Sequence, residues 1–264
     1  VASFVGCKLE DATTPGDAVD MYVLHNAHGK FALPSKGQQS GEEFEGGAVF
    51  EPITGVREMV PVLDLASLYP MAMVTMNASP ETKVDPDDYD GETFVAPNGQ
   101  HYRKEPNGIM REMIDTLLAE RGEKKALRDE HEPGSQEYER YDRQQASVKI
   151  IMNRLYGVAG WERFRLYDKY NAAAVTSAGR EVIKFTEKAA NELNKSVIYG
   201  DTDSVMLELG GEVSKPDAID QSFEIQDYIN DRYSEFALET LNAEEHRFEL
   251  EFEKLYRRFF QAGK

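Results

Sequence analysis

The chain has 264 residues, 41% of them hydrophobic, which is enough to bury a core in one large domain or two small ones. No apolar run reaches the roughly 18 residues of a membrane span, the N-terminus from Val1 lacks the segments of a secretory signal, and Cys7 stands alone, which excludes an internal disulfide and a cysteine zinc site and fits a reducing cytoplasm. Thirty Lys and Arg against 48 Asp and Glu give a charge of −18, which taken alone argues against a nucleic-acid partner, because neutralising phosphates calls for a basic surface.

The charge leaves two readings open. Either the partner is not nucleic acid, or cations are concentrated locally on an otherwise acidic surface. Such surfaces keep a protein soluble where salt screens repulsion, so a salt-loving source is an expectation. The missing initiator Met implies a piece of a longer chain.

Residues 1–47 are rich in Gly, Asp and Ser, and Ser35 to Gly41 reads as loop or linker. Ala48–Pro52 reads as a short strand, and Met59–Asp64 as an apolar strand ending in a carboxylate. Pro70 and Pro80 bound a helix from about Met71 to Asn77. A turn-rich stretch over 83–104 precedes a long helical pattern from Gly108, with Ile109, Met113, Leu117 and Leu118 at helical spacing. Glu132–Ser135 breaks it, and a second helix runs from about Gln136 to Tyr156 and stops at Gly157, giving an antiparallel helical hairpin. A helix over 170–193 leads to strand 196–200, the turn Asp201–Thr202–Asp203 and a returning strand 204–209. A helix over 222–241 and an alternating strand over 248–260 complete the chain.

Three short patterns carry chemistry. The first is Asp64–Leu65–Ala66–Ser67–Leu68–Tyr69–Pro70. A strand-end Asp can be a mere turn former; the functional reading is a metal ligand, with the following turn aiming N–H groups at a phosphate. The second runs from Lys149 to Gly157, where Lys149, Asn153 and Tyr156 share one helical face while Ile150, Ile151 and Leu155 pack inward. That face is either simply solvated or, with Arg121 and Lys125 on the facing helix, a triphosphate site needing several fixed cations. The cations could instead pair with Glu120 and Glu123. The third is Tyr199–Gly200–Asp201–Thr202–Asp203–Ser204, where two carboxylates at a hairpin tip repel unless a cation neutralises them. Magnesium, which takes one or two carboxylates plus substrate phosphates, suits Asp64 and Asp203 if folding sets them side by side.

In this order the patterns SLYP, KxxxNxxYG and YGDTDS resemble the three polymerase motifs of family B DNA polymerases, nearest the archaeal replicative type. Glu45–Gly46–Gly47, Asn77–Thr82 and Val175–Arg180 extend the resemblance over about 45–264. It implies an α+β fold: a palm of antiparallel sheet backed by helices, with an inserted helical-hairpin fingers subdomain. The implied parts are a segment 1–47 after a missing exonuclease domain, palm 48–105, fingers 106–157 and palm 158–264, without the thumb. It implies that Asp64, Asp203 and the Leu65 carbonyl hold two magnesium ions, with Asp201 in a supporting catalytic part. Ser67 and Leu68 would present N–H groups to the triphosphate, Tyr69 would exclude a 2′-hydroxyl, and Arg121, Lys125, Lys149 and Asn153 would grip the triphosphate, with fingers closure assembling that face. Tyr156 and Gly157 would lie beside the primer-template. Arg154 departs from the small Ser usual in the family. The implied activity is dNTP addition to a primer 3′-hydroxyl on template DNA, in a cytoplasmic, nucleoid-associated protein with a sliding clamp as a partner of the full-length form. The alternative is a truncated, inactive nucleic-acid-binding fragment.

Overall fold

A computed structural model describes residues 1–12, 14–30, 32–35, 46–47, 50, 53–160 and 164–262. The elements in chain order are α1 (Ala2–Val5), α2 (Pro15–Ala27), β1 (Gly55–Leu65), α3 (Leu68–Thr75), β2 (Lys83–Val84), β3 (Thr93–Val95), β4 (His101–Arg103), α4 (Ile109–Asp129), α5 (Gln136–Ala159), α6 (Lys169–Glu192), β5 (Val197–Asp201), β6 (Ser204–Leu207), α7 (Lys215–Leu241) and β7 (Leu250–Gln261). The chain is therefore α+β. It divides into two compact units, one of Val1–Phe44, Asn77–Gly91 and Tyr102–Ala172, the other of Glu45–Met76, Glu92–His101 and Ala173–Lys264.

The first unit is built on the α4–α5 hairpin. Met110, Met113, Ile114 and Leu117 of α4 and Val148, Ile151, Met152 and Leu155 of α5 are buried, the i, i+3, i+4, i+7 stripe of an amphipathic helix. Beyond that stripe the pairing turns polar: Arg121 Nε donates to Gln145 Oε1 at 3.2 Å, and Arg128 Nη1 to Asp142 Oδ1 at 3.1 Å. Helix α2 packs on both helices through Ala18, Val19, Tyr22 and Val23. Those residues lie in the stretch read as Gly-, Asp- and Ser-rich, so part of it is helix; Ser35 is described, and Lys36 to Gly41 lie outside the described residues. Asp20, 3% exposed, accepts from Arg165 Nε and Nη2 at 2.8 and 3.2 Å.

Helix α4 is anchored at its start by Asn77, which is fully buried with φ 51°. Its Nδ2 donates to the carbonyls of Arg103 and Pro106 at 2.9 and 3.2 Å, and its Oδ1 accepts the Gly108 N–H at 2.7 Å. Glu81 Oε1 accepts the next donor, Ile109 N–H, at 2.6 Å. Two of the four N–H groups that a helix leaves unpaired at its start are thus taken by side chains. Gly157 does not stop α5, which runs on to Ala159 with Gly160 as its cap. A glycine stop works through a left-handed residue, and Gly157 is not among the glycines with positive φ.

The second unit is a four-stranded antiparallel sheet in the order β5–β6–β1–β7. β1 is central and nearly continuous in apolar residues, and Val60, Pro61, Val62, Leu63 and Leu65 are all buried. Pro61 is tolerated because β6 joins β1 only from Val62 onward, so its missing N–H interrupts little of the ladder. α7 covers β1 and β7. Its Asn230 exchanges two hydrogen bonds with the Leu250 backbone, and Gln226 accepts Phe252 N–H at 2.7 Å, which fixes where β7 begins. The Phe185 ring of α6 packs at a tilt against Tyr233 and Phe236, and Thr186 bonds the Tyr233 hydroxyl at 2.6 Å. Of the strand expected over Ala48–Pro52, only Phe50 lies within the described residues; its N–H and that of Ile53 bond the β5 carbonyls of Gly200 and Ile198, both at 3.0 Å.

Candidate active site

Asp64 is the penultimate residue of β1, half-buried between the buried Leu63 and Leu65. After it the chain turns at Ala66 and Ser67. Ser67 has φ 52°, ψ 48° and starts α3, with Pro70 in the first turn, where a missing N–H breaks no helical bond. The Ser67 hydroxyl makes no capping bond and is buried without a hydrogen-bond partner among the described residues.

The hairpin tip is tight. Thr202 has φ 58°, and Asp203 N–H donates to the Asp201 carbonyl at 2.6 Å. The two tip acids are not equivalent. Asp201 is exposed, accepts from the Thr202 hydroxyl at 2.9 Å and has the Tyr199 hydroxyl at 3.4 Å; Asp203 is half-buried. The sheet then sets this tip beside the end of β1. Asp64 pairs with Ser204, and Leu65 N–H donates to the Asp203 carbonyl at 2.7 Å. Directly opposed residues in such a pair have Cα atoms about 5 Å apart, so residues 64 and 203 occupy neighbouring positions on adjacent strands.

On its other side Asp64 faces Glu251 of β7, below a register shift between Val62 and Leu63. Bulges of this kind re-aim side chains. No motif pointed to Glu251; the only signal was the alternation Glu249, Glu251, Glu253 along a strand. Like charges directly opposed across strands repel, which favours a cation nearby. Among the described residues no three of His, Cys, Asp and Glu converge. Two carboxylates on adjacent strands are a donor set of the kind that magnesium takes together with substrate phosphates.

Tyr69, in the first turn of α3, is half-buried. Burial pushes its phenol above the ordinary value of 10.0, the Asp203 and Asp201 carboxylates push it the same way, and Arg180 opposes them. It stays a neutral hydroxyl beside the acidic tip.

The cationic residues belong to the first unit. Lys149, Asn153 and Tyr156 share a face of α5, with Asn153 exposed and the other two half-buried. Ile150, expected to pack inward, is 50% exposed, because the buried stripe is Val148, Ile151, Met152 and Leu155. Glu120 and Glu123 pair with Lys124, at 3.2 and 3.4 Å, and not with Arg121 or Lys125. Lys125 and Lys149 have no ion pair among the described residues. Arg154 and Gly157 are exposed on α5.

Comparison with known proteins decides the family. The model of DNA polymerase family B matches residues 16–262. The chain belongs to the family B DNA polymerases. It is 33% identical over 86% of its length to DNA polymerase 2 of Aeropyrum pernix, covering 26% of that protein. It is 35% identical over 84% of its length to the DNA polymerase delta catalytic subunit of Oryza sativa, covering 20% of it. Among solved structures, the family B polymerase of Pyrobaculum calidifontis superposes with a TM-score of 0.75 at 29% identity, over 96% of this chain and 31% of that one. The chain thus spans about a third or less of the length of these family B relatives. Among the described residues no helix is long and apolar enough to cross a membrane.

Proposed function

We propose that this chain carries the nucleotidyl-transfer centre of a template-directed DNA polymerase, adding deoxynucleoside monophosphates from dNTPs to a primer 3′-hydroxyl with release of pyrophosphate. The observation that carries the reading is the β1–β6 register, which sets Asp64 beside the Asp203 turn. The sheet unit serves as the palm and the α4–α5 hairpin as the fingers. Asp64, Asp203 and the Leu65 carbonyl hold two magnesium ions. When bound, these ions supply a lowered pKa to the primer hydroxyl and charge stabilisation to the leaving oxygen.

The chain's own residues position the substrate. The N–H groups of Ser67 and Leu68, at the start of α3, bind triphosphate oxygens as helix N-termini do. Arg121, Lys125 and Lys149 neutralise the rest of the triphosphate and the Asn153 amide donates to it, since its spread charge calls for several fixed donors. Lys125 suits this role because Glu120 and Glu123, near it in sequence, are engaged by Lys124. Tyr69 presents a neutral ring against the sugar and excludes a 2′-hydroxyl. Asp201, engaged by Thr202, supports the tip, and Tyr156 and Gly157 lie beside the primer-template. The net charge of −18 is compatible with DNA binding when cations are local to such faces.

Primer extension with Asp203→Asn in magnesium tests the assignment. Loss of one metal carboxylate removes several kcal/mol of charge stabilisation, so extension should fall by about a thousandfold or more, with an unchanged circular dichroism spectrum. Retained turnover would remove Asp203 from the metal site.

A further inference from the structure

The Tyr69 ring is enclosed by two glycines from distant parts of the chain. A Cβ on Gly47 would lie 2.6 Å from the Tyr69 hydroxyl, and 3.3 Å from Thr202 Cγ2 at the hairpin tip. A Cβ on Gly179 of α6 would lie 2.8 Å from Tyr69 Cε1. Neither glycine has a positive φ, so the backbone does not require glycine at either place; the room taken by the ring does. Gly179 makes the point twice, since alanine inside a helix is favoured over glycine by about 1 kcal/mol. The next residue, Arg180, donates Nη1–H to the Gly46 carbonyl at 2.8 Å. The helix that backs the ring thereby also ties down the segment that meets its hydroxyl.

We propose that Gly47, Gly179 and the Arg180–Gly46 hydrogen bond form a seat that fixes the Tyr69 ring, and so set how strictly nucleoside triphosphates bearing a 2′-hydroxyl are refused. The proposal rests on the reading of Tyr69 as the sugar gate. A steric gate discriminates only if it cannot retreat, and close-packed contacts on both sides remove the space for retreat. Gly47, Gly179 and Arg180 act through Tyr69; they are positioning residues. A Cβ on Gly47 would also crowd Thr202, so the seat adjoins the tip that carries Asp203.

The test is the ratio of kcat/KM for a deoxynucleoside triphosphate to that for its ribonucleoside counterpart, measured in the intact polymerase. Gly47→Ala and Gly179→Ala should each lower the ratio by about tenfold, because displacing a reacting contact by a fraction of an ångström to about 1 Å costs one to two decades. The decisive arm is Gly47→Ala in a Tyr69→Phe background. There the oxygen that meets the new methyl is gone, so the ratio should match that of Tyr69→Phe alone within about twofold. Arg180→Lys, which adds no bulk, should lower the ratio in the same direction and serves if an alanine variant does not fold. A ratio unchanged in folded Gly47→Ala, or an equal shift in both backgrounds, overturns the seat. Tyr69→Ala separates the two levels: if it lowers the ratio and the glycine variants do not, only the seat fails; if it leaves the ratio unchanged, the gate itself is wrong.

Discussion

Replacing Asn77 with alanine should destabilise the helical unit by about 3 kcal/mol, and the structure shows where that figure comes from. The carboxamide makes three hydrogen bonds, but their loss is unequal. Pro106 is exposed and Arg103 half-buried, so water can replace the donor at those two carbonyls. Gly108 is buried, and its N–H would be left unpaired at a cost of roughly 1–3 kcal/mol. Alanine must also hold φ near 51°, which costs about 1–2 kcal/mol where Asn is tolerated. Asn77→Gly removes the second cost and retains the first, so it should fall between the two. Urea unfolding followed by far-ultraviolet circular dichroism measures both variants against the parent. A loss below about 1 kcal/mol for Asn77→Ala would show that the orphaned Gly108 donor finds another partner, and would refute the view that this one side chain anchors α4. Under the proposed function the consequence would extend to triphosphate binding, because α4 carries Arg121 and Lys125.

Tyr69→Ala should raise relative ribonucleotide use by roughly a hundredfold, the scale at which one pocket contact discriminates, as read by gel-resolved primer extension. Because burial and two carboxylates raise the Tyr69 phenol, the parent's sugar preference should stay flat from neutral to mildly alkaline pH; a titration there would contradict a neutral gate. His246 gives a stability effect of definite sign. Burial lowers its pKa below 6.5, and its Nδ1 accepts the Phe248 N–H at 3.1 Å, a bond that protonation of Nδ1 would remove. The unfolded chain therefore binds the proton first as pH falls, and stability declines from about pH 6.5 downward to the folded value. His246→Gln should flatten that slope in urea midpoints measured across the window, and an unaltered slope would place the effect elsewhere.

The acidic composition and the cationic face are reconciled by local pairing. Glu120 and Glu123, the acids nearest in sequence to Arg121 and Lys125, are both engaged by Lys124. Arg121 is held by Gln145 across the hairpin, a neutral partner that orients the guanidinium without cancelling its charge. A negative total thus says little about the sign of the field at one helical face.

Periodicity alone determined most of the elements. The apolar stripes of α4 and α5, the break at Glu132–Ser135 and the Asp-rich hairpin were all legible, because each depends on neighbours within a turn or two. Local rules failed where a residue's meaning is set by distant partners. Helix α2 was hidden because Asp17, Asp20, His25 and Asn26 dilute its apolar positions, and Asp20 becomes intelligible only with Arg165 against it. Gly157 read as a stop, yet it simply continues α5. The pairing of β1 between β6 and β7 depends on strands far apart in the chain, and no short motif encodes it; that pairing alone put Asp64 beside Asp203 and opposite Glu251. The same holds for Tyr69. Its pattern was visible in the chain, but the space around its ring is made by Gly47 and Gly179, whose role is the absence of a side chain and therefore shows only when the surfaces meet.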